Sequence, residues 1–276
     1  MDNYLSSTQN PKIKKLLALQ QKSALRRETG LFVVEGRREI QQCIDAGYEI
    51  DTLYIRAKEN EAVIPADLPS GINTCFVSPH VYERIAYRES TEGVIAVVHT
   101  RNRTLDELSF KDNPLLIVLE RVEKPGNLGA IMRSADAAGA DAVIVCDPLT
   151  DLFNPNLIRA SLGAVFSVPC VVCTSEDCIR YLKEHHIRIL TAQLQDSSLY
   201  YDTDMIGPTA IVMGTESTGL TTSWREAADA HIRIPMNGRL DSLNVSVSAA
   251  VLLYEAVRQR LTSTGCSRSS STMPPQ

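Results

Sequence analysis

The chain has 276 residues, 44% of them apolar, with a formal net charge of -5, enough for one large or two ordinary domains with a proper hydrophobic core. The longest apolar run, around 249–253, falls far short of the roughly 20 residues needed to span a bilayer, and the polar start at 1–10 lacks the apolar stretch of a signal peptide. Seven cysteines, an odd number scattered through apolar stretches, fit reduced thiols better than a disulfide framework, so a cytoplasmic protein is expected.

The acidic balance argues weakly against nucleic acid, but whole-chain charge hides local charge. Between Pro11 and Ile40 stand Lys12, Lys14, Lys15, Lys22, Arg26, Arg27, Arg37 and Arg38 against Glu28, Glu35 and Glu39, a local excess of five (eight minus three). Two readings stay open, a phosphate-facing patch and a solvated helix face.

Ile13, Leu16, Leu17 and Leu19 among lysines predict an amphipathic helix over Lys12–Gln20, entered at Asn10 as cap and Pro11 in the first turn. Strands are predicted at Leu31–Glu35, Thr52–Ile55, Thr74–Val77 and Gly93–His99, with helices at Glu39–Ala46, closed by Gly47, and Pro79–Ala86. This alternation describes a small α/β layer domain. The polar stretch 101–114 marks the boundary, giving domains 1–104 and 105–261 and a Ser-, Thr- and Pro-rich tail, 262–276, expected to be disordered.

Leu115–Glu120 is a continuous apolar run of the kind buried on both faces of a parallel sheet. After a turn at Lys124-Pro125-Gly126, helices are predicted at Asn127–Ala138, near Asn156–Gly163 and at Glu176–His185, and strands at Ala142–Cys146, Val168–Val172, Arg188–Ala192 and Thr209–Met213. A β-branched run then stops at Pro235, a loop of small and polar residues follows, and apolar residues return at helical spacing through Leu261. The pattern predicts a mostly parallel sheet with helices on both faces, which binds ligands beyond the carboxyl ends of its strands. Loops leave such ends at 121–127, 214–220 and 236–244. In the last, Gly238 and Ser242 allow close approach of backbone to a flat ligand, though an ordinary connection has a similar length.

No GxxxxGK[ST] is present, and no GxGxxG joins a first strand to a first helix, which disfavours a P-loop NTPase or a dehydrogenase. Cys170-Val-Val-Cys173 has CxxC spacing, but it lies in an apolar strand with no second ligand pair, so buried thiols are expected there. His185-His186 ends a helix as an exposed capping pair.

Three segments together carry a resemblance: Asn127-Leu-Gly129-Ala-Ile-Met-Arg133-Ser-Ala; Met213-Gly214-Thr215-Glu216-Ser-Thr-Gly219-Leu; and Ile234-Pro-Met236-Asn-Gly-Arg-Leu-Asp-Ser242-Leu243-Asn244-Val-Ser246. In order and spacing they resemble the three motifs of the SpoU (TrmH) family of RNA ribose 2′-O-methyltransferases. The stretches Asn10-Pro11-Lys12-Ile13-Lys14 and Phe32-Val-Val-Glu35-Gly36-Arg37 more loosely resemble that family's ribosomal-protein-like substrate-binding domain. The resemblance implies a SPOUT-type α/β fold with a deep C-terminal trefoil knot, S-adenosyl-L-methionine as cofactor, RNA, most simply ribosomal RNA, as substrate, no metal, and a homodimer built on the knot region. It implies cofactor contacts at Met213, Gly214, Thr215, Gly219, Ile234, Met236, Ser242 and Leu243. It places Arg133 at the reacting hydroxyl with Asn127, Glu216, Ser242 and Asn244 holding the geometry, and with RNA as substrate the basic run offers contacts at Lys12, Lys14, Lys15, Arg37 and Arg38. Transfer RNA as substrate, or a non-catalytic RNA-binding factor of the same fold, are the alternatives.

Overall fold

A computed structural model describes residues 3–57, 71–87, 92–110, 112–215 and 217–263. The expected tail lies outside them from residue 264 onward. In chain order the elements are β1 (Tyr4–Leu5), α1 (Pro11–Gln21), α2 (Ser23–Thr29), β2 (Leu31–Glu35), α3 (Arg37–Asp45), β3 (Ile50–Arg56), β4 (Thr74–Val77), α4 (Pro79–Ile85), β5 (Val94–His99), β6 (Leu115–Glu120), α5 (Pro125–Ala138), β7 (Ala142–Cys146), α6 (Pro155–Ser161), α7 (Ala164–Ser167), β8 (Cys170–Cys173), α8 (Ser175–Glu184), β9 (Arg188–Ala192), β10 (Ser198–Leu199), β11 (Thr209–Met213), α9 (Thr222–Ala227), β12 (Ala230–Arg233) and α10 (Val245–Ser263). They form two compact units. The first comprises Met1–Asn102, Lys124–Arg133 and Thr150–Ser167, and the second Arg103–Glu123, Ser134–Leu149 and Val168–Gln276.

The first unit holds a five-stranded sheet in the order β1-β4-β3-β5-β2. Residues alternate between its faces as the pleat requires. Leu31 and Val33 join Ile13, Leu16 and Leu19 of α1 and Val81, Tyr82 and Ile85 of α4 in one buried cluster. On the other face Phe32 stacks on Phe153 with centroids 4.4 Å apart, and Phe166 and Tyr48 complete the group. Asn10 caps α1 by accepting from the Lys12 N–H at 2.9 Å, as its sequence indicates. Helix α2 escapes the hydrophobic pattern because its buried residue is Arg26, whose Nε meets Asp151 Oδ2 at 2.5 Å while Nη1 donates to the carbonyls of Leu19 and Gln20. The helix expected near 156–163 is α6, which ends where Leu162 adopts a left-handed φ of 51°, and the short α7 that follows is not among the predicted elements.

The second unit holds a seven-stranded sheet in the order β10-β12-β9-β11-β6-β7-β8, with every pairing parallel. All six residues of β6 and all five of β7 and β11 are buried, as expected for strands covered on both faces. One face packs Leu116, Val118, Ile144 and Val212 against Tyr181 and Leu182 of α8 and Trp224 of α9. Helix α9 offers a single buried residue, Trp224, too little for a periodic signal. Strand β8 begins two residues later than predicted, and Cys170 and Cys173 are only partly buried, which corrects the expectation of buried thiols there. No helix among the described residues is long and apolar enough to cross a membrane.

Helix α10 lies against β6 and β11, burying Ala249, Leu252, Leu253 and Ala256. Its far end is fixed by Arg260. The guanidinium donates to the carbonyls of Asn113 at 2.8 Å, Met205 at 3.0 Å, Gly207 at 2.8 Å and Pro114 at 3.2 Å. Four main-chain acceptors around one planar cation suit arginine and no other side chain. Arg260→Met, which keeps the aliphatic bulk, is expected to lower unfolding free energy by about 3 kcal/mol, and an unchanged denaturation midpoint would contradict this account of the clamp.

Candidate active site

Motif one begins helix α5. Asn127 is half-buried in its first turn and Arg133 stands exposed two turns on, with no hydrogen bond or ion pair of Arg133 to any described residue. Between them Gly129 is required by packing within the first unit. A Cβ there would lie 2.6 Å from both the Ala160 Cβ and the Leu157 carbonyl oxygen of α6, so only glycine lets the helices approach this closely.

Motif two leaves the carboxyl end of β11. The loop closes on itself through reciprocal main-chain bonds, Thr215 N–H to Gly219 O at 3.3 Å and Gly219 N–H to Thr215 O at 3.1 Å. The Thr215 hydroxyl accepts from the Thr218 N–H at 3.0 Å, and Gly219 takes φ +67°. At Gly214 a Cβ would lie 2.3 Å from the Gly219 carbonyl carbon and 2.6 Å from the Leu220 nitrogen. Both glycines are therefore dictated by the turn. Met213 is buried at the strand end and Gly214 and Thr215 are half-buried. Glu216 lies outside the described residues.

The exit of this loop is held by a buried acid. Glu120, 2% exposed at the end of β6, accepts from the Thr221 N–H at 2.9 Å and the Thr221 hydroxyl at 2.7 Å. Ser175 Oγ lies 3.2 Å from the same carboxylate and 2.7 Å from Asp147, and accepts from Trp224 Nε1 at 3.1 Å. Sequence reasoning passed over Glu120, although a charged residue closing an otherwise apolar strand is a signal that its partners are built in.

Motif three, from Ile234 to Asn244, is irregular. Ile234 and Met236 are half-buried, whereas Ser242, Leu243 and Asn244 are exposed. The Asn244 side chain accepts from the Ser246 N–H at 3.0 Å and the Ser246 hydroxyl at 2.6 Å, the geometry of a helix N-cap, so it sets where α10 starts. In the first unit Lys12, Lys14, Lys15, Arg37 and Arg38 are all exposed. The inward Arg26 and the buried Glu39 leave the basic run together, so seven exposed cations still face only Glu28 and Glu35 and the local excess of five persists at the surface. Gly36 opens α3 with φ +105°, where a Cβ would strike the Glu39 carboxylate.

Residues 114–254 match the SpoU rRNA Methylase family, and residues 10–96 match the MRM3-like substrate binding domain. The chain is 38% identical to the 23S rRNA (guanosine-2′-O-)-methyltransferase RlmB of Haemophilus influenzae over 77% of this chain and 90% of that one. It is 28% identical to the 23S rRNA (guanosine(2553)-2′-O)-methyltransferase RlmP of Bacillus subtilis over 91% and 97% of the two chains. Among solved structures, an AdoMet-bound rRNA methyltransferase from Sinorhizobium meliloti superimposes with a TM-score of 0.84 at 31% identity, covering 92% of this chain and 97% of that one. With a family match over more than half its length and the three motif loops in the places described, this chain belongs to the SpoU rRNA methylase family, with the SPOUT-type α/β fold.

Proposed function

We propose that the protein transfers the methyl group of S-adenosylmethionine to a ribose 2′-hydroxyl of ribosomal RNA. The observation that carries this reading is the co-occurrence, in one chain, of all three motif segments with a preceding substrate-binding half whose run 11–40 exposes seven cations. Work on ribosomal RNA would place the enzyme in the cytoplasm. In this reading residues 1–104 grip RNA through Lys12, Lys14, Lys15, Arg37 and Arg38, and residues 105–261 carry the chemistry.

The motif two loop suits a flat nucleoside. Gly214 and Gly219 let it fold back tightly on itself, and the cofactor would be held by Met213, Gly214, Thr215 and Gly219 with Ile234, Met236, Ser242 and Leu243. When bound it supplies an electrophilic sulfonium methyl. The attacking 2′-hydroxyl is a weak nucleophile until its proton leaves. A guanidinium is a poor base, so Arg133 serves best by pairing with the neighbouring phosphate and stabilising the developing alkoxide. Asn127, Glu216 and Ser242 would orient the reacting groups, and Asn244 would act by fixing the start of α10.

Three outcomes follow from these assignments. Arg133→Ala should leave S-adenosylmethionine affinity nearly unchanged and lower single-turnover methyl transfer to the mapped nucleotide by roughly 10³-fold. Arg133→Lys should be poor as well, because a point charge lacks the planar fork; near wild-type turnover in either variant would remove Arg133 from the reaction. Tritium transfer from labelled cofactor to ribosomal RNA, followed by mapping of the methylated ribose, tests the substrate, and labelling confined to transfer RNA would favour the other substrate class.

Replacing Lys12, Lys14 and Lys15 together by Ala is expected to weaken RNA binding and flatten its dependence on salt, by about one unit of slope for each phosphate that is no longer neutralised. Cofactor binding should not move. A slope equal to that of the wild type would return these lysines to an ordinary solvated helix face.

A homodimer through α10 completes the reading. Val247, Tyr254 and Leu261 are 48%, 51% and 60% exposed and recur every seven residues, an apolar stripe opposite the buried face of the helix that asks for a covering surface. Sedimentation equilibrium should give twice the 30.4 kDa chain mass, and Tyr254→Glu should return the mass to that of one chain. A wild-type protein sedimenting as a single chain would refute the dimer.

A further inference from the structure

Three cysteines of the second unit converge although 32 residues separate the first from the last. Cys146 ends β7 and Cys173 ends β8, and the two are direct partners in the parallel register. Cys178 comes to the same point from the first turns of α8. Their three sulfur atoms all lie within 4.8 Å of one another. A tetrahedral ion with metal–sulfur bonds of about 2.3 Å needs its sulfurs about 3.8 Å apart, so the side chains need only a small inward adjustment.

The start of α8 adjoins two of the three thiols. Cys173 directly precedes Thr174, the residue that caps α8, so Cys173 and Cys178 both stand at the positive end of a ten-residue helix, where negative charge is stabilised. Cys146 and Cys178 are buried beside Tyr181, Leu182 and Trp224, whereas Cys173 is only partly buried. The residues that follow Cys146 and Cys173, Asp147 and Thr174, line an open cavity of about 800 Å³, and Cys173 itself is partly exposed. The sequence pairs Cys173 with Cys170 by CxxC spacing, but the fold pairs it with Cys146 and Cys178.

We propose that Cys146, Cys173 and Cys178 form a three-thiolate site for a thiophilic d10 cation of the Zn²⁺ class, with water as the fourth ligand. An all-sulfur donor set selects soft or borderline ions over Mg²⁺ or Ca²⁺. Each thiol that binds gives up its proton to solvent, so loading consumes no oxidant or reductant. Such a site would tie β7, β8 and α8 together at the carboxyl edge of the sheet, apart from the methyl-transfer chemistry, and its test requires neither RNA nor S-adenosylmethionine.

The full chain, kept reduced and anaerobic and stripped with a chelator, is titrated with Cd²⁺ while thiolate-to-metal charge-transfer absorbance is followed. Zn²⁺ affinity is then read by competition with a chromophoric chelator. The expected result is one equivalent per chain with the absorbance of three thiolate bonds, unchanged in Cys170→Ser and weakened by about 100-fold or more in Cys173→Ser. Cys173 is the first variant because its partial exposure makes replacement tolerable; Cys146→Ser, verified as folded by circular dichroism, is the second. A folded wild-type protein that develops no charge-transfer band would overturn the proposal, as would a band of undiminished intensity and affinity in Cys173→Ser. Three reduced thiols that take up no ion would then be simple core packing.

Discussion

A buried carboxylate sets the geometry of the catalytic half. Glu120 ends β6, a strand whose other five residues are apolar and buried, and it is tolerable there because Thr221 offers it both a main-chain and a hydroxyl donor and Ser175 adds a third contact. Removing a partner would leave a buried carboxylate oxygen less well satisfied, a larger loss than the bond itself. The carboxylate thereby ties the start of α8 and the exit of the motif two loop to one strand end. The loop's entrance is set by Gly214, whose missing Cβ lets the chain fold back on Gly219 and Leu220. Entrance and exit are both fixed, by one absent side chain and one buried charge.

The division of labour between side chain and backbone explains which parts of this protein the sequence discloses. Motif residues such as Gly129, Gly214 and Gly219 are legible as motif members, yet the reason each must be glycine is visible only in space: a helix contact for the first, a folded loop for the other two. Asn244 reads in the sequence as part of a reactive constellation, while its side chain in the structure caps α10. The apolar runs of β6, β7 and β11 disclose a parallel sheet without help, because a strand covered on both faces has no polar side to break the run.

What stays hidden has a common physical cause, in that burial is achieved by residues that hydrophobicity patterns discount or by elements too short to show a period. Arg26 fills the inward position of α2 and finds Asp151 more than a hundred residues later. Trp224 alone anchors α9. Strands β1 and β10 are two residues each, below the length at which alternation exists. The convergence of Cys146, Cys173 and Cys178 depends on strand register, which no local spacing contains.

The Arg260 clamp has a consequence for how the protein comes into being. Strand β6 finds its partner β11 about ninety residues downstream, and the helix that covers both is the last element among the described residues, latched by a guanidinium to carbonyls at 113, 114, 205 and 207. Contacts of such long sequence separation close late and slowly. During synthesis the first sheet has all its strands in hand while the second still awaits its central partner, so the two halves mature at different times. The nascent chain would thus hold every strand of its first sheet well before β11, and the loop that leaves it, have been made.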